Sequence, residues 1–183
     1  MIKIRSNAFF FLIFIIILLL VTTISYSVKQ YYNKKHSIIS GYNIKVIDGD
    51  IIKVNDITIR LYGIDAPERN QLCYNKTTNE PYKCGLIAKN KLRKLIQGKK
   101  IYCHKKNLDK YNRTIAICYV NGIDIAQQLI RKGLALAYRK FSDLYIEDEL
   151  YAQQNNSYIW NNEFIPPWDY RYHLKKQLAE QKN

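Results

Sequence analysis

The sequence is poor in the residues that hold zinc. Its 183 residues include four cysteines and three histidines, and no two cysteines have the CxxC spacing. Structural zinc sites usually depend on such closely spaced ligands. We therefore disfavour a zinc protein, and the even number of cysteines points instead to disulfides.

Acidic residues are also scarce. The chain has 15 Asp and Glu against 29 Lys and Arg, a net charge of +14, and it has 16 tyrosines. Positive charge combined with side chains that can stack suits a polyanion. Charge alone does not separate nucleic acid from anionic lipid headgroups, or either from a basic, soluble surface.

Internal repeats and low-complexity segments are absent from the sequence as well. A chain of this length is sufficient for one domain with appendages and too short for two independent enzymatic domains. We expect a leader at residues 1–27, a linker at 28–41, a folded domain at 42–165 and a peripheral polar tail at 166–183.

The leader contains an uninterrupted run of apolar and small residues at 8–24, preceded by Lys3 and Arg5. Its 17 residues exceed the usual signal-peptide core of about 7 to 15 and fall short of the roughly 20 of a spanning helix. Two outcomes stay open: cleavage after Ser27, or an uncleaved inner-membrane anchor with a cytoplasmic N-terminus. Both predict an exported domain, periplasmic or extracellular.

The cysteines agree with export, because none lies in the leader and disulfides form in oxidising compartments. Three pairings are formally possible. Two strands are predicted on either side of a turn at 109–112, which places Cys103 opposite Cys118 at a Cβ separation of about 4.5 to 5.5 Å. Cys73 and Cys84 then pair across a loop.

Hydrophobic patterning predicts a small barrel with helices. Strands are expected at 42–47, 51–54, 57–62 and in the two arms of the cysteine hairpin, and helices at 85–96, 124–132 and 142–160. Asn55-Asp56 is a two-residue hairpin signal, and Gly133 is expected to end the second helix. Short strands with inserted helices are typical of such a fold.

One stretch, VIDGDIIKVNDITIRLYGIDAPE at residues 46–68, concentrates acidic residues in this basic chain. Its two apolar runs are flanked by Asp48, Asp50, Asp65 and Glu68. Arg60 lies between them. Carboxylates at strand ends are either ordinary turn residues or ligands of a cation, and this stretch alone leaves both interpretations open.

Four strings occur in order along the chain: VIDGDIIKV, RLYGIDAPE, DKYNRTIAICYVNGIDI and IRKGLALAY. Together they resemble the staphylococcal nuclease (thermonuclease) family over about residues 42–160. The four cysteines and the later IWNNEF resemble an exported bacterial subgroup of that family. The resemblance implies an α+β, mainly β fold: a five-stranded OB barrel with three helices, preceded here by the hydrophobic segment.

The resemblance also implies a metal site. Asp50 and Asp65 match two carboxylates that hold a calcium ion, and the backbone carbonyl of Ala66 matches a further ligand. Oxygen atoms of this kind are the ligands that calcium prefers. Asp48 is expected to fix the geometry of its turn.

The same resemblance assigns the remaining roles. Glu68 matches the residue that orients or deprotonates the attacking water. Arg60 and Arg113 match the two guanidinium groups that hold the phosphate, for which the planar fork of Arg is suited. Tyr111 and Tyr138 are expected to line the nucleotide pocket, although a tyrosine beside a barrel is often simply core.

Two positions depart from the family pattern. Ile51 stands where the family usually has Thr, and Asn112 stands where it favours Gly. Asn tolerates left-handed backbone angles better than most residues, so we expect the turn to survive. The neighbouring Lys105, Lys106 and Lys110 are interpreted as a solvated basic rim.

These observations predict an exported, monomeric, calcium-dependent nuclease that hydrolyses phosphodiester bonds in DNA and RNA with little sequence preference. The alternatives are a non-catalytic OB-fold module that binds single strands by charge and stacking, and an interaction domain displayed on a membrane. A module that only binds a polyanion has no need of Asp50, Asp65 and Glu68, so we favour the enzyme.

Overall fold

A computed structural model describes residues 3–36 and 38–181 of the chain. Two compact units are present, one ending at Ile38 and the other beginning at Ile39. Residues 1–2, 37 and 182–183, which belong to the predicted leader, linker and tail, lie outside the described residues.

The first unit contains helix α1, Lys3–His36. Its stretch Phe9–Val28 is long and apolar enough to cross a membrane, and these side chains are exposed. A signal sequence near an N-terminus has the same properties. Helix α1 and the first strand occupy most of the expected linker at 28–41.

After α1 the described chain forms short strands and four further α-helices. The strands are β1 (Ile38–Gly41), β2 (Ile44–Val46), β3 (Ile51–Val54), β4 (Ile57–Leu61), β5 (Ile64–Asp65), β6 (Cys73–Asn75), β7 (Pro81–Tyr82), β8 (Ile101–Leu108), β9 (Thr114–Val120), β10 (Ile123–Asp124), β11 (Leu136–Ala137) and β12 (Asn162–Glu163). The helices are α2 (Cys84–Ile96), α3 (Ile125–Arg131), α4 (Ile146–Gln154) and α5 (Pro167–Glu180).

The main sheet has the order β1-β8-β9-β4-β3-β2, with β10 also paired to β9. Strands β4 and β9 run parallel, and β2, β3 and β4 form antiparallel pairs. The five strands predicted for the barrel are β2, β3, β4, β8 and β9. This mixed α+β fold with a curled sheet is consistent with the predicted OB-like class.

Alternating apolar residues build the core. Ile52 and Val54 of β3 and Ile59 and Leu61 of β4 are buried, while the residues between them are more exposed. Helix α2 packs one face against the same core through Ala88, Leu92 and Ile96. Burying each large aliphatic side chain contributes about 1.5–3 kcal/mol, so this packing holds α2 on the sheet.

Local signals set the turns and helix ends. Asn55 has a φ of 52° in the β3–β4 hairpin, and Asn112 has a φ of 61° in the β8–β9 turn. The side chain of Asp124 accepts hydrogen bonds from the amides of Ala126 and Gln127 and caps α3. Gly133, with a φ of 63°, follows the end of that helix. Each of these features agrees with the prediction.

The disulfides pair Cys103 with Cys118 and Cys73 with Cys84, as expected. Cys103 and Cys118 are directly opposite each other in the β8–β9 register. Cys73 and Cys84 belong to a second small core together with Leu136 and Ile159. None of the four is left free to bind zinc.

Two predictions about the C-terminal part of the chain were wrong. The helix expected at 142–160 is shorter, because α4 ends at Gln154 and a 3-10 turn, Tyr158–Asn161, follows it. Asn156, with a φ of 49°, interrupts the helical path between them. The segment 166–183 is not merely a peripheral tail, because it forms α5 and reaches the site described below.

Candidate active site

The turn between β2 and β3 places the first carboxylates. Asp48 Oδ1 accepts a hydrogen bond from the amide of Gly49 at 2.9 Å, which holds the turn. A Cβ at Gly49 would lie 2.7 Å from the Cβ of Ala66, so a side chain here would collide with the following part of the site. This close approach brings Asp50 next to the segment that contains Asp65.

Asp50 and Asp65 converge on one nitrogen of Arg60. Arg60 Nη2 lies 3.0 Å from Asp50 Oδ2 and 2.7 Å from Asp65 Oδ1. Both carboxylates are buried. Burial raises the pKa of Asp50 to about 7, and the positive charge of Arg60 opposes part of this effect. A cation beside Asp50 therefore favours the charged form of that carboxylate.

The donor set fits a calcium ion. Two buried carboxylates already share one cationic partner, and the amide nitrogen of Ala66 lies 3.5 Å from Asp50 Oδ2, which places the Ala66 backbone beside them. Among the described residues, no three His, Cys, Asp or Glu side chains gather as metal ligands. Calcium accepts carbonyl and water oxygens as well, so two carboxylates suffice as its charged ligands.

Glu68 lies beside this pair and is held through its backbone. Its amide donates a hydrogen bond to Gln71 Oε1 at 3.1 Å. A Cβ at Gly85 would overlap the carbonyl oxygen of Glu68, so the start of α2 packs directly on this residue. The Glu68 side chain is 35% exposed, which leaves its carboxylate accessible to water and substrate.

Arg171 of α5 is an unpredicted member of the site. Its Nη1 lies 2.7 Å from Glu68 Oε1 and 3.1 Å from Asp65 Oδ1. Its Nη2 lies 2.7 Å from Asp65 Oδ2. The guanidinium group therefore makes a two-pronged contact with Asp65 and joins it to Glu68.

Arg113 makes a different ion pair. Its Nε lies 2.6 Å from Asp109 Oδ2, and its amide also donates to Asp109. Arg60 is the register partner of Ile115 in the parallel β4–β9 pair. Arg113 lies one residue before β9, at the end of the β8–β9 turn. Arg113 is thus held by Asp109, whereas Arg60 is held by Asp50 and Asp65.

The two predicted nucleotide-binding tyrosines have different surroundings. Tyr111 is 65% exposed in the β8–β9 turn, with the charged groups of Lys110 and Arg113 5.0 and 5.2 Å from its ring centroid. Tyr138 is half-buried and stacks against Trp168 of α5, with centroids 5.7 Å apart and planes 2° apart. Tyr111 is open to a ligand, and the available face of Tyr138 is covered by Trp168.

Sequence reasoning missed Gln71, Gly85, Trp168 and Arg171. Gln71 and Gly85 lie close in sequence to Glu68 and to the disulfide loop, and a buried glutamine or a glycine at a close approach gives no local pattern. Trp168 and Arg171 lie beyond every string that resembled a known family. Only the folded chain brings Arg171 to the carboxylates and Trp168 to Tyr138.

On this OB-like barrel the carboxylate pair, Glu68 and Arg60 lie together. The model of the family described as staphylococcal nuclease homologue matches residues 58–162, more than half of the chain. The chain belongs to that family and is a nuclease. The match covers Asp65, Glu68 and both predicted phosphate-binding arginines, but neither Asp50 nor any residue of α5.

Several curated proteins are similar over most of the chain. An "Uncharacterized endonuclease" of Haemophilus influenzae is 28% identical over 144 residues, 74% of this chain and 75% of that protein. A protein of the same name from Escherichia coli O157:H7 is 28% identical over 142 residues, 73% and 86% of the two chains. "Staphylococcal-like nuclease CAN1" of Arabidopsis thaliana is 30% identical over 141 residues, 75% and 40% of the two chains.

Proposed function

We propose that this nuclease is calcium-dependent and cleaves DNA and RNA with little sequence preference. The observation that carries the proposal is the convergence of two buried carboxylates, Asp50 and Asp65, on one cationic nitrogen beside the accessible Glu68. This arrangement offers hard oxygen ligands and a nearby base within one small site.

Asp50, Asp65 and the carbonyl of Ala66 would hold the calcium ion. When bound, calcium supplies positive charge that offsets the charge of the scissile phosphate. Arg60 contacts both carboxylates, so its guanidinium group lies at the border between the metal ligands and the phosphate.

Glu68 accepts a proton from the attacking water. The water oxygen forms a bond to phosphorus and the P–O5′ bond breaks. The departing 5′-oxygen takes a proton from solvent water, so the products are a 3′-phosphate and a 5′-hydroxyl. Arg60 and Arg113 stabilise the extra negative charge on the phosphoryl oxygens in the transition state. Arg113 must give up part of its contact with Asp109, the group that holds it before substrate binds.

Nucleotide binding depends on stacking and charge. Tyr111 presents an exposed aromatic ring to the nucleotide, and Tyr138 does so once Trp168 leaves its ring. The excess of basic residues attracts the phosphate backbone. Neither kind of contact reads base edges, so sequence preference is weak. DNA and RNA are both accepted because stacking and phosphate contacts do not recognise the ribose 2′-hydroxyl.

The nuclease domain acts outside the cytoplasm, as a monomer. The apolar helix α1 and the two disulfides, which persist in oxidising compartments, support export of residues 42–165. The domain is released if the leader at 1–27 is cleaved and tethered to the inner membrane if it is not. Protease added to intact spheroplasts should digest the tethered domain, and full protection with recovery from the cytosol would contradict export.

The function is tested with the full chain in detergent micelles and single-stranded DNA as the substrate. The unaltered protein should cleave in calcium and stop when a chelator is added. Glu68→Gln keeps the shape of the side chain and removes its charge, so turnover should fall by about 10² or more while DNA binding persists. Indifference to the chelator would contradict calcium dependence, and full activity of Glu68→Gln would contradict the mechanism and favour a binding module.

A further inference from the structure

We propose that helix α5 competes with calcium and substrate for the site, so that Arg171 sets the calcium concentration at which the enzyme becomes active. The inference rests on the proposed function, because it assigns Asp65 to the metal and Tyr138 to the nucleotide. Two side chains of one helix, Arg171 and Trp168, carry it.

Arg171 engages the oxygens that a calcium ion requires. Both carboxylate oxygens of Asp65 lie within 3.1 Å of its guanidinium nitrogens, and Asp65 Oδ1 also contacts Arg60. Calcium at Asp65 would have to approach an oxygen to about 2.3–2.6 Å. Asp65 already holds the guanidinium groups of Arg60 and Arg171, so calcium would be a third cation on one buried carboxylate, and the more exposed Arg171 is the one that can leave. Calcium binding and the full Arg171 contact therefore exclude each other.

Arg171 also occupies the proposed base. Its Nη1 lies 2.7 Å from Glu68 Oε1, which removes one acceptor from the group that must take a proton from water. The helix thus restrains the metal ligand and the base together.

Trp168 covers the nucleotide side of the site. Its ring is parallel to that of Tyr138, with a centroid separation of 5.7 Å, which is how a nucleobase would stack on the same tyrosine. Trp168 and Arg171 are three residues apart in α5 and therefore lie on one face of the helix. One face of α5 blocks both the metal ligands and the nucleotide position.

The helix is anchored at one end and free at the other. Gln71 Nε2 donates a hydrogen bond to the carbonyl of Ile165 at 2.6 Å, just before α5 begins. All residues of the helix after Arg171, from Tyr172 to Glu180, are exposed. Displacement of Arg171 consequently requires little loss of packing, and the anchor at Gln71 keeps the helix near the site.

The competition is tested by titrating calcium into the full chain in detergent micelles, without nucleic acid, and measuring heat. Arg171→Gln should bind calcium roughly tenfold more tightly than the parent, because the competing state is removed. Lys176→Gln is the matched control, since it removes one positive charge from the exposed part of the same helix. Its calcium affinity should equal that of the parent. Equal or weaker binding by Arg171→Gln would overturn the inference.

Asp65→Asn separates this inference from the proposed function. If Asp65→Asn fails to weaken calcium binding, the proposed metal site is wrong. If Asp65→Asn weakens binding but Arg171→Gln does not strengthen it, the metal site stands and only the competition by α5 is refuted. Thermal unfolding of each variant checks that the fold is retained.

Hydrogen exchange of the unaltered protein tests the displacement of α5 without any substitution. Calcium should increase amide hydrogen exchange in α5 after Arg171, because the helix loses the ion pairs that Arg171 makes with Asp65 and Glu68. Exchange in α3, whose N-terminus is capped by Asp124, is the internal reference. Unchanged or stronger protection of α5 in calcium would contradict displacement.

Discussion

Arg60 and Arg171 both bind Asp65, yet they belong to very different parts of the molecule. Arg60 is 18% exposed and extends from the middle of the sheet, where β4 is paired with β3 on one side and β9 on the other. Arg171 is 32% exposed and belongs to a terminal helix whose later residues are all exposed. The guanidinium group of Arg60 is fixed, whereas that of Arg171 can be displaced. We therefore expect the two arginines to have different functions.

The largest effect is expected from changing each arginine to lysine. Arg60→Lys keeps the charge but loses the planar fork, so the cleavage rate should fall by about 10². Arg171→Lys should instead reduce the calcium concentration needed for activity, because an ammonium group cannot make the two-pronged contact with Asp65. Initial rates on single-stranded DNA over a range of calcium concentrations measure both. Equal losses of rate would abolish the distinction between the two arginines.

The two disulfides stabilise different regions of the molecule, one within the main sheet and one in the small core next to α5. Replacing Cys103 and Cys118 with alanine should lower the free energy of unfolding by about 2–4 kcal/mol, measured by denaturant titration. Replacing Cys73 and Cys84 should cost a similar amount and also loosen the small core that packs against Trp168. That second pair of substitutions should therefore increase hydrogen exchange in α5. If the Cys103 and Cys118 substitutions increased hydrogen exchange in α5 by the same amount, the two disulfides would not act on different regions.

Asp65→Asn removes the shared partner of both arginines. Calcium loses one charged ligand, so the calcium concentration for half-maximal cleavage should rise roughly tenfold. Asp48→Asn is the control, because Asp48 holds its turn through a hydrogen bond that an amide oxygen also accepts. A similar rise in both variants would show that the effect is general electrostatics.

Trp168→Ala should have the smallest effect. Removal of the ring uncovers Tyr138 and leaves the ion pairs of Arg171 in place. A short single-stranded oligonucleotide should bind a few times more tightly, since stacking on an aromatic ring is worth about 1–3 kcal/mol and one competitor is lost. Fluorescence anisotropy of a labelled oligonucleotide in a chelator, where no cleavage occurs, measures this. Weaker binding would assign Trp168 to the substrate site itself.

The residues of the fixed part of the site could be expected to lie near one another because they are close in sequence, whereas their roles came from the family resemblance. Asp50, Arg60, Asp65 and Glu68 fall within 19 consecutive residues, and the hairpin with Asn55 determines how their strands meet. The β8–β9 turn was predictable from Asn112 and from the facing cysteines. In these regions, residues that are close in sequence determine how the strands and turns are arranged.

The displaceable part was not predictable for the opposite reason. Arg171 is 103 residues from Glu68 and 106 from Asp65 along the chain. The exposed end of α5 has no apolar stripe that would indicate packing, so its sequence resembles a solvated tail. The shorter α4 was missed because a left-handed asparagine within a polar stretch gives little warning of a helix end.

The most direct test is the calcium dependence of single-stranded DNA cleavage by Arg60→Gln and Arg171→Gln, measured in parallel with the parent. Both substitutions remove one positive charge that contacts Asp65. We predict that Arg60→Gln lowers the maximal rate at saturating calcium, whereas Arg171→Gln shifts the curve to lower calcium. Curves that change in the same way for both variants, or a parent enzyme that cleaves equally well without calcium, would contradict the account.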